Sequence, residues 1–212
     1  MTYDDGPNEF TRDLLDILDK YQAKATFFIT GVNNGKGQID DFTRPWGSLI
    51  QRMHYSGHQI ASHTWSHQDL NASRKLRKQQ ILKNEAALRN IIGGFPTYMR
   101  PPYSKCHEDC LRDMEQLGYH VISFNMDTAD YLNDDPEKIQ LSKDIVDKAL
   151  ISPSLDGRPY LAIGHDIHAQ TVYNLTEHIL QRVADAGYQA VTVGECLEDP
   201  RDNWYRWDYR SA

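Results

Sequence analysis

Two imidazoles and a pair of carboxylates are the residues of this chain best suited to chemistry. His63-Thr64-Trp65-Ser66-His67 sets two histidines four apart, a spacing that turns both toward one cation if the segment winds helically. Alone the pattern is weak, because His54 and His58 repeat it just upstream. Those two read as surface or capping residues at the end of a helix. Asp4-Asp5-Gly6-Pro7 is sharper. Adjacent carboxylates repel, and dividing their work, one on a cation and one as a base, relieves the repulsion. The competing reading is an acidic pair at a helix N-terminus with Pro7 in its first turn. Two histidines and one carboxylate with open positions suit catalytic zinc, which acidifies water and polarises a carbonyl.

The elements around these residues alternate. Residues 9–21 place Phe10, Leu14, Ile17, Leu18 and Tyr21 on one helical face, and 25–30 form a buried strand ending at Gly31. Residues 33–37 are a Gly- and Asn-rich loop, 46–56 a helix, and Gln59–Ser62 a short strand. A long helix over 73–92 stops at Gly93-Gly94, its basic run of Arg74, Lys75, Arg77 and Lys78 read as a solvated face. Strands follow at 97–100, 120–126, 160–164 and 189–193, with helices at 107–117, 136–149 and 171–186. Such alternation implies parallel strands wrapped by helices, in a β/α barrel or a doubly wound sheet. Asp4-Asp5, His63, Arg100, Asp127–Asp130 and His165 each fall at or just past the C-terminal end of a strand. That is the end where active sites of parallel β/α folds assemble.

With 212 residues, 40% hydrophobic and 25% charged, the chain fits one globular domain over 1–212. The net charge of −7 argues against a nucleic-acid binder, which would present a basic face. The longest apolar runs, near Phe27–Ile29 and Ile91–Ile92, are far too short to span a membrane. Cys106-x-x-x-Cys110 either closes a local disulfide, leaving Cys196 over, or all three thiols are free. Asn71-Ala72-Ser73 and Asn174-Leu175-Thr176 are acceptor sequons for N-glycans at Asn71 and Asn174. The aromatic tail from Trp204 to Tyr209 reads as packing back on the helices rather than as a sugar platform.

Laid end to end, the polar segments resemble the carbohydrate deacetylases with the NodB homology domain. Thr2-Tyr3-Asp4-Asp5-Gly6-Pro7 is similar to the family's first motif, and Ser62-His63-Thr64-Trp65-Ser66-His67 to its metal motif. Arg100-Pro101-Pro102-Tyr103, Asp127-Thr128-Ala129-Asp130-Tyr131 and Ile163-Gly164-His165 resemble the remaining three, in order along nearly the whole chain. The resemblance implies a distorted barrel of about seven parallel strands. It implies metal binding by Asp5, His63 and His67, with one divalent ion, zinc first and cobalt or another divalent ion as alternatives. Asp4 is then the general base and His165 the acid that protonates the departing amine. Arg100 orients Asp4, Asp130 pairs with His165, and the backbone N–H of Tyr103 faces the oxyanion. Tyr131 stands where the family has Trp, and Ile163-Gly164 where it has Leu-x. These positions, with Tyr103, shape the pocket for the acetyl group. His107 and His168 lie outside the motifs and read as incidental.

Tyr3, the Cys106–Cys110 segment and the sequons look like fungal secreted chitin deacetylases. The expected substrate is therefore chitin or chitooligosaccharide, handled by a secreted monomer, with peptidoglycan or acetylxylan as alternatives. A non-catalytic sugar-binding homologue is the reading from another class, disfavoured because every chemical role has a residue. In such relatives a cysteine near the C-terminus pairs with one upstream of the first motif, which Cys196 lacks here. Little strand precedes Asp4. Both features predict that Met1 is not the native start.

Overall fold

The computed structural model describes residues 1–151 and 159–207. Its centre is β1 (Thr2–Asp4), followed by α1 (Thr11–Lys20), β2 (Thr26–Ile29), α2 (Trp46–Tyr55) and β3 (Gln59–Ser62). Next come α3 (Arg74–Ile92), β4 (Phe95–Pro96), β5 (Tyr98–Met99), α4 (Glu108–Gln116) and β6 (His120–Val121). The chain continues through β7 (Met126–Asp127), α5 (Ile139–Ile151), β8 (Ala162–His165), α6 (Thr176–Asp185), the short α7 (Val193–Cys196) and β9 (Tyr205–Arg206). Seven strands form one parallel sheet in the order β6-β5-β3-β2-β1-β8-β7, curled into a half-barrel with helices outside.

Alternation along β1 explains the layers. Tyr3 points outward into the main core beside Phe27, and its hydroxyl meets Thr176 on α6 at 3.0 Å. Thr2 and Asp4 point to the other face, the inside of the half-barrel, where Arg100 bonds both. β2 reads Thr-Phe-Phe-Ile and is buried on both faces, as a central parallel strand should be. α1 contributes Leu14, Leu15 and Leu18 to the core. α3 starts at Ser73, whose Oγ accepts from the Leu76 N–H, and ends at Gly93 in the left-handed conformation (φ 80°). From its inner face Asn84 donates to the Ile29 carbonyl and the Ser62 hydroxyl, tying the helix to two strand ends.

Four sequence expectations are corrected. The strand expected over 120–126 is two strands, β6 and β7, on opposite edges of the sheet, so this stretch crosses the half-barrel instead of pairing along it. The strand expected over 189–193 is absent. Thr192 there caps α7, accepting from the Glu195 N–H while Glu195 bonds back to the Thr192 N–H. His58 is buried, not superficial: its Nδ1 accepts from the Ala25 N–H at 3.2 Å, and burial pushes its pKa down to about 4. Arg77 leaves the solvated basic face and bonds Asp113 at 2.7 Å. Of the aromatic tail, Trp204 and Tyr205 pack inward, with the Tyr205 hydroxyl accepting from the Ile60 N–H, whereas Trp207 is 55% exposed. Asp208 and Tyr209 lie outside the described residues.

Candidate active site

Because all seven strands run parallel, their C-terminal ends gather Asp4, Asp5, His63, Arg100 and His165 at one rim. Strand register does part of the positioning: Asp4 on β1 stands directly opposite His165 on β8. Asp4 Oδ1 accepts from Arg100 Nη1 at 2.8 Å. The guanidinium is 1% exposed, and its other donors go to Thr2 Oγ1 and the carbonyls of Ile122 and Ser123. It also lies 4.1 Å from the Phe28 ring centroid. A buried cation so fully bonded fixes the carboxylate it pairs with.

His165 is held from the opposite side. Its Nδ1–H donates to Asp130 Oδ1 at 2.9 Å, while its backbone N–H and the Thr171 hydroxyl donate to Asp130 Oδ2 at 2.7 Å each. Burial acts to lower the pKa of His165. The bond and charge of Asp130 outweigh it, Asp4 and Asp5 add to the effect, and the pKa is pushed up to about 9. For Asp130 burial acts upward, and the bonds from His165 and Thr171 still bring its pKa down. The imidazole therefore carries a proton near neutrality with Nε2 as its remaining donor.

Asp5, His63 and His67 form a cluster whose candidate ligand atoms all lie within 4.8 Å of one another, and Asp4 borders it, its Oδ2 3.7 Å from His63 Nε2. Asp5 Oδ1 is 3.8 Å from His63 Nε2 and 3.5 Å from His67 Nε2. His63 Nδ1 is 2.7 Å from the Arg100 carbonyl, which can only accept. The proton is thus on Nδ1 and the Nε2 lone pair faces the cluster, the tautomer a metal ligand needs. Burial lowers the pKa of His67, against the charge of Asp5, and favours its neutral form. Two imidazoles and a carboxylate converging from one rim suit a divalent cation with open positions.

The backbone builds this cluster in an unexpected way. The stretch from His63 to His67 is no helical turn: Thr64 and His67 have φ of 71° and 53°. Its shape is held by α3, where the Gln80 carbonyl accepts from the Trp65 N–H and the Gln80 side chain bonds Ser66 twice. Asp5 also has positive φ, 75°, so its carboxylate turns into the same cavity as that of Asp4 although the residues are adjacent. α1 begins only at Thr11, which removes the helix-dipole reading of the acidic pair.

At the mouth, the Tyr103 ring is 61% exposed and edge-on to His67 at 4.6 Å. Tyr131 is half-exposed, 5.6 Å from the His165 ring, with its hydroxyl 3.4 Å from Asp127 Oδ2. Ile163 is buried two residues before His165 and shares its face of β8. His168 is bonded to Asp134 at 3.1 Å, beside the His165 ring rather than in the Asp5–His63–His67 cluster. His107 stands at the start of α4, its N–H bonded to the Asn71 side chain. Cys106 and Cys110 are joined as a disulfide, and Cys196 is free.

Sequence reasoning missed a buried group beneath Asp5. Lys36 Nζ donates to the carbonyls of Asp5 and Gly6 and to Thr30 Oγ1, at 2.9, 2.8 and 2.8 Å. Burial brings its pKa down to about 7, against the charges of Asp166 and Asp5. Asp166 accepts from the Thr11 hydroxyl at 2.5 Å, and burial pushes its pKa up to about 6. Asn33 Nδ2 donates to Asp5 Oδ1 at 3.1 Å. The available signal was position: residues 33–36 follow the C-terminal end of β2, on the rim that carries the other site residues.

A half-barrel with this rim defines a hydrolase of the NodB type, and the chain belongs to the polysaccharide deacetylase family, whose model matches residues 1–122. It is 44% identical over 207 residues to the chitin deacetylase of Colletotrichum lindemuthianum, covering 97% of this chain and 82% of that one. A solved structure of the chitin deacetylase from that fungus superposes with a TM-score of 0.93 at 42% identity, covering 99% of this chain and 91% of its own. A probable peptidoglycan-N-acetylglucosamine deacetylase of Arthroderma benhamiae is 40% identical over 97% of this chain, which spans only 45% of that protein's length.

Proposed function

We infer that this chain removes N-acetyl groups from the GlcNAc units of chitin or chitooligosaccharides, leaving a free amine and acetate. The observation that carries the reading is one rim holding a three-donor cluster, an Arg-paired carboxylate and an Asp-paired imidazole. Asp5, His63 and His67 would hold one divalent cation, zinc first by their donor chemistry. When bound there, such an ion makes a water more acidic and polarises an amide carbonyl.

This chain's own groups carry the proton traffic. Asp4, oriented by its bond from Arg100, takes a proton from the attacking water as the water oxygen bonds the amide carbon. The backbone N–H of Tyr103 stabilises the oxyanion. His165 then gives the proton on Nε2 to the nitrogen as the C–N bond breaks, since an amide nitrogen leaves only when protonated. Asp130 keeps His165 charged and oriented for that step. Tyr103 and Tyr131 flank the sugar, and Ile163 lines the acetyl pocket.

The chain acts as a monomer, secreted and organised as one domain over 1–212. The Cys106–Cys110 disulfide supports an oxidising compartment, and among the described residues no helix is long and apolar enough to cross a membrane. Asn174 is exposed and suited to carry an N-glycan, and Asn71 is the second acceptor. The test is acetate release from chitooligosaccharides, muropeptides and acetylxylan by protein stripped of metal and then reconstituted. Release on chitooligosaccharides that requires added cation is expected. Undiminished turnover without metal overturns the metal role, and preference for muropeptides moves the substrate to peptidoglycan, as the name of the Arthroderma relative suggests.

A further inference from the structure

The loop after β2 grips Asp5 at both its main chain and its side chain. We propose that Lys36 and Asn33 are positioning residues that set the cation affinity of the site, Lys36 by holding the Asp5 main chain in its left-handed conformation and Asn33 by holding its carboxylate. This rests on the reading of Asp5, His63 and His67 as metal donors.

An aspartate at φ 75° persists only where its surroundings over-determine it. Here the Asp5 carbonyl accepts from both Thr30 Oγ1, at 2.7 Å, and Lys36 Nζ, at 2.9 Å. The same ammonium bonds the next carbonyl, Gly6, and the Thr30 hydroxyl, so its three protons are all spent on fixing this turn. Lys36 is 6% exposed, and its partners are neutral oxygens. Its nearby counter-charge is Asp166, fully buried and packed so closely on Gly6 that a Cβ there would stand 2.0 Å from the carboxylate. On the other flank, Asn33 Nδ2 bonds Asp5 Oδ1, the oxygen that faces both histidines. The loop braces itself for this, with the Lys36 N–H on the Asn33 carbonyl at 3.0 Å and the Trp46 indole N–H on the Lys36 carbonyl at 2.9 Å.

The sign of the effect separates positioning from simple electrostatics. An ammonium beside a cation site repels the cation, so loss of the Lys36 charge alone would tighten binding. Loss of the hold on Asp5 loosens it. Residues that orient metal ligands from behind typically carry about 10–100-fold in affinity.

Zinc affinity of the metal-stripped full chain, measured by competition with a chromophoric chelator, tests the proposal for wild type, Lys36→Met and Asn33→Ala. Lys36→Met is expected to bind zinc about 10–100-fold more weakly and Asn33→Ala about 10-fold more weakly. Each should also shift the visible absorption bands of the cobalt-substituted protein, which a general loss of stability would not move in the folded fraction. If circular dichroism shows Lys36→Met unfolded, Asn33→Ala decides, since it removes only a half-buried side chain at the loop surface. Unchanged affinity in the folded variants, or tighter binding by Lys36→Met, overturns the proposal while leaving the metal donors in place. A wild-type chain that takes up neither zinc nor cobalt overturns the donor reading and this proposal together.

Discussion

The two halves of the active site are held in different ways. Asp4 and His165 stand on adjacent strands in register, each fixed by one buried partner of opposite charge, Arg100 or Asp130. Asp5, His63 and His67 come from turns beyond the strands, with positive φ at Asp5, Thr64 and His67 and side chains of the neighbouring loop and helix holding them. Damage to the first half should therefore unbalance a buried charge. Damage to the second should change geometry and metal affinity while leaving the sheet intact.

The largest expected effect lies on the proton-transfer half. His165→Ala should lower acetate release by about 10²–10⁴-fold, the range for a lost general acid, with metal content unchanged. A parallel loss of metal would erase the distinction between the halves. Arg100→Met tests the buried pair itself, because it leaves the Asp4 charge without its partner. Denaturant unfolding of the metal-free protein should show about 3–5 kcal/mol of lost stability. His63 should keep its orientation there, since it is the Arg100 backbone carbonyl, not the guanidinium, that it bonds.

A smaller effect sharpens the comparison through pH. In the proposed role of acid His165 acts in its charged form, so activity should persist toward pH 9 and fall as pH rises through about 9. Its folded pKa is raised, so its contribution to stability is fully present below the free-imidazole range near 6.5 and is lost on passing through about 9. Asp130→Asn removes the partner that raises it, and the alkaline limb of the pH–rate profile should move to lower pH. An unmoved limb would assign that limb to another group.

The same division explains what the sequence disclosed. Residues at or just past strand ends were legible, because hydrophobic runs place the ends and a parallel sheet gathers them at one rim; Asp4 and His165 close their strands, and His63 and Arg100 follow theirs by one residue. Loop geometry was not. The His63–His67 spacing suggested a helical turn, but left-handed residues and Gln80, distant in sequence, shape it. Lys36 lies in a Gly- and Asn-rich loop, and nothing local in the sequence marks it as buried under Asp5. A single apolar run over 120–126 could not reveal that the chain crosses from one sheet edge to the other. The Thr192–Glu195 spacing did carry a capping-box signal, and the β-branched run before it masked that signal.

The central claim is that adjacent aspartates do separate jobs, Asp4 as base and Asp5 as metal donor. Metal content by mass spectrometry, measured beside acetate release for Asp4→Asn and Asp5→Asn, tests it most directly. Asp4→Asn is expected to retain one zinc per chain while losing turnover, and Asp5→Asn to lose the zinc itself. Equal metal loss in both variants, or full activity in Asp4→Asn, would contradict the division.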